Sequence, residues 1–598
     1  MLPRIRPFLS RSFSQRVLRV TGTIPRVDHL LQFRDDAIRF SNQLQNHYQE
    51  LKSNPRSEID DWYQNKYKTM PAQKLFLELR VLEEKYKESK DQFEKLKMEI
   101  QLAAIRKAYF QDIDTVIVCN RGEVACDVLN EAKKKGLKTI LLCQEEDKDS
   151  LAAKIADEVI PVKNMASASH CLQVLDNDIP KEDRNRKAIH PGYGFLSEDS
   201  GFTKSLEALG YTFIGPNSRM MRDLGDKAEA KRTAEKNGLK TIPGYSGLAG
   251  DKKGFLVAAA KVNYPVLIKN PGGGGGVGID VANNEVELLA ILKKYKSEDE
   301  VVLEKYLEKP KHLEFGLIGD GKGKVIMLPG VRECSSQNKH HQKEIQIAIS
   351  DEEAEKLFPN YRELKAKAKK LAEAVKYKNA GTIEFLYDPK TKQYNFLEMN
   401  TRMQVERRAT EDLTDGAYST SALQIACAEG ALNITQEDMD ALANKAKTKY
   451  SIELRINAQK PRVAGSEVKF DSVDAVLQRL EIPETDGRGR VQFGFTEGAR
   501  VNSISFNPMI GMIAGTGETF EEALENTIYL AKKVEIVGVD TNIDYQLTSL
   551  EAMRGKSPGE FNTRRYKEVD QAYIASEKVR REEELYNPRV GRRATCNN

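Results

Sequence analysis

Five consecutive glycines, Gly272 to Gly276, constrain this chain more than any other feature. They follow Tyr264-Pro-Val-Leu-Ile-Lys269, an apolar run of strand length, and the pair Asn270-Pro271. Val277 and Gly278 come next, and Ile279-Asp-Val reads as a second strand. A run of glycines is too costly in backbone entropy to continue a helix or a strand. Between two strands it forms a loop whose bare N–H groups and tolerance of positive φ let it close over phosphate oxygens. Lys269, ending the first strand, can reach the same phosphates. The lysine precedes the glycines, so this is not the GxxxxGK[ST] phosphate loop. The competing reading, a flexible linker, suits a position between two strands poorly.

Downstream, Glu384 lies in Gly-Thr-Ile-Glu-Phe and is followed by Glu398-Met-Asn400-Thr-Arg402-Met-Gln404-Val-Glu406. Two carboxylates and an amide oxygen are hard ligands of the kind Mg²⁺ takes while nucleotide phosphates supply the rest. Every second residue from Glu398 to Glu406 is polar, so in extended backbone these side chains share one face. That face would carry metal ligands at one end and an Arg/Glu pair at the other. A third cluster, Arg332-Glu-Cys-Ser-Ser-Gln-Asn-Lys-His-His-Gln-Lys343, reads by itself as a polar, basic loop. His312, in Lys-Pro-Lys-His-Leu-Glu314, reads by itself as a structural histidine.

With 598 residues, 40% hydrophobic and 30% charged, the chain has the length and balance of a multidomain globular protein. No apolar run approaches the roughly 20 residues of a membrane-spanning helix. The formal charge of +4 misleads, because residues 1–27 contain six arginines and no acid. The remainder is slightly acidic, which gives no footprint for nucleic acid. The 1–27 segment, rich in Arg and Ser, has the composition of a transit peptide and points to the mitochondrial matrix, the other reading being a basic tail. The seven cysteines form no CxxC pair, so neither a zinc site nor a disulfide framework is expected.

Residues 28–112 are helical in pattern. Leu75, Leu79, Leu82, Tyr86, Phe93, Leu96 and Ile100 make a heptad seam interrupted at Ser89. This helix either lies on its own protein or forms a coiled coil with a partner. At Ile113 the style changes. Asp114–Cys119, a turn at Gly122, a helix through Lys135 and the run Thr139–Cys143 read as a βαβ unit. Further strands are expected near 301–303, 313–318, 325–328, 381–387 and 394–397. Helices are expected over 351–377 and 415–428, then short strands from 450 and a helix over 519–535.

Together these segments resemble the biotin carboxylase component of biotin-dependent carboxylases. The resemblance rests on Asn120-Arg-Gly-Glu-Val-Ala, His190-Pro-Gly-Tyr-Gly-Phe-Leu-Ser-Glu198, Phe213-Ile-Gly-Pro216, Gly225-Asp-Lys227, Pro243-Gly-Tyr, Glu304–Glu314, Glu398–Glu406 and Glu453-Leu-Arg-Ile-Asn-Ala458. It covers about 113–560. It implies an α/β fold with a Rossmann-like N-domain (113–225), an ATP-grasp domain (226–430) and a small C-terminal α+β domain (431–560). By their own pattern, residues 28–112 read as an α-helical extension ahead of these domains, and 561–598 as a charged tail whose part from 565 looks like a helix followed by a loose end. The resemblance implies that Lys227 and Lys269 hold ATP phosphates under the lid Gly273, Gly274, Gly275 and Gly276. Glu304, Lys305, Leu307 and His312 would hold the nucleotide, and Tyr193 would approach biotin. Glu384, Glu398 and Asn400 fall on the positions for Mg²⁺ (or Mn²⁺). Glu406 matches the base that deprotonates bicarbonate, Lys343, Arg402, Gln404 and Val405 the bicarbonate site, and Arg455 the arginine that stabilises enolate-like biotin.

Several positions depart from the family pattern. Val277 stands where the family carries Arg or Lys, which removes a contact of about 1.5–3 kcal/mol. The loop from Gln337 to Lys343 is one residue longer, and Glu-Ile-Gln-Ile-Ala replaces an acidic run after it. Val-Glu-His-Pro becomes Val405-Glu-Arg-Arg, and Met-Ile-Gly-Lys ends in Met512. No Ala-Met-Lys-Met biotinylation motif occurs, so biotin is expected on a separate carrier protein, with a carboxyltransferase subunit as a further partner and a homodimer or larger complex as the assembly. Two alternatives stay open on these departures: an ATP-binding scaffold or regulatory subunit with little turnover, and an ATP-grasp ligase acting on another acyl phosphate such as carbamate.

Overall fold

The computed structural model describes residues 113–269, 279–338, 342–504 and 507–586, together with Leu82, Lys85 and Met98. The expected transit peptide, the heptad seam apart from Leu82, and the glycines 272–276 lie outside these residues.

The first apolar run forms β1 (Thr115–Val118), buried along its whole length. Helix α1 (Gly122–Lys134) follows, then β2 (Lys138–Cys143), β3 (Glu158–Pro161), β4 (Lys187–His190) and β5 (Thr212–Phe213). The strands pair in parallel in the order β3-β2-β1-β4-β5. Continuous apolar strands suit a parallel sheet covered on both faces, and the order is that of a Rossmann-like half. Gly122 begins α1 at φ +66°, a left-handed value that lets the chain turn from strand to helix in three residues.

Helix α2 (Lys227–Lys236) is capped by Asp226, whose carboxylate accepts from the N–H groups of Ala228 and Glu229. A small antiparallel sheet follows: β6 (Gly244–Leu248), β7 (Val266–Lys269), β8 (Ile279–Ala282) and β9 (Glu300–Lys305), in the order β6-β9-β7-β8. It has its own apolar core, including Phe255, Ile268, Leu288 and Leu303. The Lys269 strand and its partner therefore form a hairpin whose connection is the glycine run.

The main sheet has nine strands. Its members are β10 (Lys311–Asp320), β11 (Val325–Met327), β12 (Val331–Gln337), β13 (Lys343–Ile349), β14 (Lys378–Asp388), β15 (Gln393–Asn400), β16 (Tyr450–Asn457), β17 (Gly489–Phe493) and β18 (Met509–Gly517). The order is β15-β14-β10-β12-β13-β16-β18-β17, with β11 on β10. The domains expected at 226–430 and 431–560 share this sheet: the edge of β13 pairs with β16 from Ile345 opposite Leu454 to Ile349 opposite Tyr450. The helix expected over 351–377 is two, Asp351–Leu357 and α3 (Tyr361–Ala374). Pro359 lacks an N–H, and Asn360 takes φ 58°, which breaks the helical path. Tyr361, Leu364, Ala368, Leu371 and Ala372 then face the core.

Further helices complete the frame: α4 (Arg407–Asp412), α5 (Thr420–Ala428), α6 (Phe520–Lys533), α7 (Ile543–Glu551) and α8 (Tyr566–Tyr586). The segment expected to begin a charged tail at 561 starts as packed structure. Phe561, Arg565, Val569 and Tyr573 are buried. Lys311 Nζ donates to Phe561 O at 2.5 Å, and Tyr545 Oη donates to Asp570 at 2.8 Å. No helix among the described residues is long and apolar enough to cross a membrane.

Candidate active site

The site is built on the face of three neighbouring strands. Glu384 on β14 stands opposite Glu398 on β15 and opposite Glu314 on β10. Directly opposed residues in antiparallel strands share a face, and His312 joins them two residues from Glu314. His312 Nε2 lies 2.6 Å from Glu384 Oε2, and Gln337 Nε2 lies 2.8 Å from His312 Nδ1. Gln337 thus keeps a place in the site despite the longer loop. His312 is a buried member of this polar cluster, a role its isolated sequence context does not reveal. Burial works against its protonation, but the Glu384 carboxylate outweighs this and raises its pKa.

Lys343, at the start of β13, projects among the carboxylates. Its ammonium pairs with Glu314, donates to Glu406 Oε1 at 2.8 Å and reaches Glu384 Oε1 at 3.4 Å. Arg455, on the adjacent strand β16, donates to the other oxygen of Glu406 at 2.8 Å. The Glu406 side chain is completely buried. Burial would raise its pKa, but Lys343, Arg455 and Arg332 outweigh it and hold the carboxyl well below the usual range. Glu384 is likewise lowered, against burial, by Lys343 and His312. Glu314 goes the other way, to about 7, because burial and the nearby Glu384 and Glu406 outweigh Lys343 and Arg332. The cluster therefore holds more acid than its cations can fully ionise.

The alternation from Glu398 to Glu406 is strand only as far as Asn400, where β15 ends. Residues beyond it turn, and Glu406 immediately precedes α4. The polar side chains converge nevertheless. Asn400 Nδ2 and Gln404 Nε2 donate to Glu384 Oε1 at 2.6 and 3.0 Å. Arg402 donates to Gln404 Oε1 at 2.8 Å and to Glu198 Oε2 at 2.9 Å. The Val405 side chain packs in an apolar cluster with Tyr193, Met403 and Met512, so only its main chain can face a bound anion. Met512, where the family pattern has lysine, is fully buried there.

A second group lies toward the small sheet. Glu304 is 3% exposed and pairs with Lys231 and, at 2.7 Å, with Lys269. Lys305 is exposed and Leu307 half-buried where β9 ends. Lys227, at the start of α2, lies 3.9 Å from Glu398 Oε2, which links this group to the carboxylate face.

Two trios among the described residues bring ligating atoms within 4.8 Å of one another: His312, Glu314 and Glu384, and Glu314, Cys334 and Glu406. The expected set was Glu384, Glu398 and Asn400. Lys343 already pairs with carboxylates of both trios. Glu398, by contrast, has a 35% exposed side chain, with Lys227 3.9 Å away. Burial and the Glu384 charge raise its pKa, so a cation there would relieve it. Glu384, Glu398 and Asn400 therefore fit a hard divalent cation.

Sequence reasoning missed Glu314, Arg332, Glu198 and Lys231 as site residues. Arg332 donates to Glu314 Oε2 at 3.2 Å and to Thr410 Oγ1 at 2.9 Å. The available signal was the i, i+2 spacing of His312 and Glu314, which puts both on one face of a strand.

Comparisons place this geometry among known proteins. Residues 112–221 match the family model "Biotin carboxylase, N-terminal domain", and 226–433 match "Carbamoyl-phosphate synthase L chain, ATP binding domain". The chain is 34% identical to the mitochondrial propionyl-CoA carboxylase alpha chain of Caenorhabditis briggsae, over 76% of this chain and 60% of that protein. It is also 34% identical to the 2-oxoglutarate carboxylase small subunit of Hydrogenobacter thermophilus, over 75% of this chain and 92% of that one. A crystal structure of the biotin carboxylase domain dimer of the Hydrogenobacter thermophilus carboxylase, with MgADP, ADP and bicarbonate, superposes with a TM-score of 0.67 at 33% identity, covering 77% of this chain and 99% of that one. The biotin carboxylase subunit of a pyruvate carboxylase gives 0.62 at 32%, with coverage of 77% and 99%. The chain spans about six-tenths of the length of the mitochondrial carboxylase subunits it matches.

Proposed function

The chain belongs to the biotin carboxylase family, and we propose that it uses ATP and bicarbonate to carboxylate biotin held on a separate carrier chain. The observation that carries this reading is Glu406, buried and gripped by Lys343 on one oxygen and Arg455 on the other. Two cations around one carboxylate make a pocket for a small anion beside a proton acceptor. A carboxylate held this far below its ordinary range is a weak base. An anion that draws Lys343 toward itself raises the proton affinity of Glu406, so arrival of bicarbonate strengthens the base that deprotonates it.

Bicarbonate is a poor electrophile. Transfer of the ATP γ-phosphoryl group to its oxygen gives carboxyphosphate and ADP, and the developing charge needs cations already in place. Lys227 and Lys269 hold the phosphates, and Glu304 orients Lys269. Glu384, Glu398 and Asn400 hold Mg²⁺, which neutralises phosphate charge when bound. Arg402 and Gln404 bind bicarbonate with Lys343. Arg455 stabilises the oxygen of enolate-like biotin, and Tyr193 contributes to the loop that receives the ring.

A biotin carboxyl carrier and a carboxyltransferase subunit complete the reaction, and two copies of the chain assemble as a dimer. The basic 1–27 segment directs the protein to the mitochondrial matrix, in keeping with the mitochondrial carboxylases among its relatives. The purified protein is expected to cleave ATP in response to bicarbonate, with faster cleavage on adding biotin. Cleavage that answers to ammonia or an amine in place of biotin would move the assignment to a carbamate-forming ligase.

A further inference from the structure

The residues after the base, Arg407 and Arg408, depart from the family's His-Pro, and the structure gives them a use. Arg407 is among the largest fully buried side chains of the protein. Its NH1 and NH2 groups donate to the two oxygens of Glu123 at 3.3 and 3.2 Å, and NH2 also donates to Asp127 Oδ2 at 2.6 Å. Both acids lie in the first turns of α1, in the N-terminal sheet region. The same Glu123 oxygen that meets NH1 accepts the Tyr193 hydroxyl at 2.6 Å. Asp127 also accepts from Ser421 on α5 at 2.7 Å and faces Arg408 at 3.3 Å, while Arg408 donates to Gln492 on β17 at 2.6 Å. Gly494 backs the arrangement: a Cβ there would stand 2.5 Å from Glu123 N, so only glycine lets this strand end approach α1 so closely.

We propose that Arg407 is a positioning residue that sets the biotin-receiving loop in register with the base, through the relay Arg407–Glu123–Tyr193. Arg407 is the next residue to Glu406, and its planar fork engages both oxygens of Glu123 at once, which a lysine cannot reproduce. Tyr193 has its hydroxyl fixed by the same carboxylate. Movement of Arg407 therefore shifts the tyrosine and the turn carrying Glu406 together. Among the described residues, Lys269 pairs with Glu304, which also pairs with Lys231, and the relay's hydrogen bonds run to other groups, so ATP binding stands apart from it. The inference rests on the biotin carboxylase reading above.

The test is steady-state ATP cleavage by the full chain, with free biotin, bicarbonate and MgATP varied separately. Arg407→Lys keeps the charge and loses the fork, and Tyr193→Phe removes the hydroxyl. Each is expected to raise the biotin KM about tenfold, the order of one charge-assisted hydrogen bond, with the ATP KM unchanged. Because both break one relay, the double variant is expected to be little worse than either single one. Multiplying effects in the double variant, an unchanged biotin KM, or equal losses for all substrates in step with a lower Tm would each overturn the relay. If Arg407→Lys does not fold, Glu123→Gln is used, with the same shift in biotin KM expected and the same results overturning it. A wild-type protein indifferent to biotin would instead defeat the carboxylase reading itself.

Discussion

Replacing Lys343 by methionine tests whether this lysine is the electrostatic centre of the site. Its ammonium meets three buried carboxylates: Glu314, Glu406 at 2.8 Å and Glu384 at 3.4 Å. Removal leaves Glu314 to Arg332, Glu406 to Arg455 and Glu384 to His312. Breaking a buried ion cluster by removing one partner costs about 3–5 kcal/mol. The pH dependence follows from the directions of the pKa shifts. In the wild type, Glu406 and Glu384 are held below their unfolded values. Their contribution is present above the unfolded carboxylate pKa and is lost as pH falls through the lower folded values. In Lys343→Met, burial is opposed less and the folded carboxyls take up protons more readily. The variant's deficit therefore grows with pH, and the gap at pH 8 should exceed that at pH 5.5 by about 1–2 kcal/mol, one pKa unit being about 1.4 kcal/mol. Thermal unfolding of both proteins at the two pH values measures it. Bicarbonate-dependent ATP cleavage should fall by a factor on the order of 10²–10³. A gap that stays constant, or widens toward acid, would refute the idea that Lys343 is balanced against ionised carboxylates.

Other perturbations read other parts of the account. Glu344, beside Lys343, is buried among the amides of Asn338, Asn542 and Gln546, and burial pushes its carboxyl up to about 7. A raised acid pKa costs stability as pH rises through the window from the unfolded value to about 7, so Glu344→Gln should add on the order of 2–3 kcal/mol of stability at pH 8 and raise the Tm there, with the gain gone near pH 4.5; melting curves across that range check it. Lys269→Met should raise the ATP KM about 10- to 150-fold, the loss of one charge-assisted phosphate contact, with the biotin KM little changed; steady-state titration of MgATP measures this. Glu398→Gln should raise the Mg²⁺ concentration for half-maximal ATP cleavage by tenfold or more, about one charge-assisted ligand, and a Mg²⁺ titration at fixed ATP would show whether it does.

Much of this site was legible because its residues lie on strands with apolar flanks. Glu384 and Glu398 were picked out as oxygen ligands by residue type, and the pairing of β14 with β15 sets them opposite each other. The alternation to Glu406 identified the right side chains for an incomplete reason: past Asn400 a turn, not a strand, brings Arg402, Gln404 and Glu406 inward. Glu314 and Arg332 were hidden because the charge balance among Glu314, Lys343 and Arg332 exists only once β10, β12 and β13 are paired. Arg407 was visible only as a departure, since nothing in the local sequence points to Glu123 and Asp127, more than 270 positions earlier. The continuity of the sheet from β13 to β16 and the packing of Phe561 to Tyr573 are likewise long-range outcomes of burial. By contrast, the first βαβ unit of the N-terminal sheet was read from its apolar runs and a single glycine turn, because a buried parallel sheet announces itself in uninterrupted Val, Ile and Leu.

The central claim, that Glu406 is the base of an ATP-dependent biotin carboxylation, is tested most directly by one comparison. ATP cleavage is measured with and without bicarbonate and biotin, for the wild type and for Glu406→Gln, with MgATP binding measured in parallel. The account predicts a wild type that needs bicarbonate and is accelerated by biotin, and a variant that binds MgATP equally well but cleaves it at least about a hundredfold more slowly, the loss typical of a missing general base. A wild type that binds ATP without bicarbonate- or biotin-dependent cleavage, or a Glu406→Gln protein as active as the wild type, would contradict it.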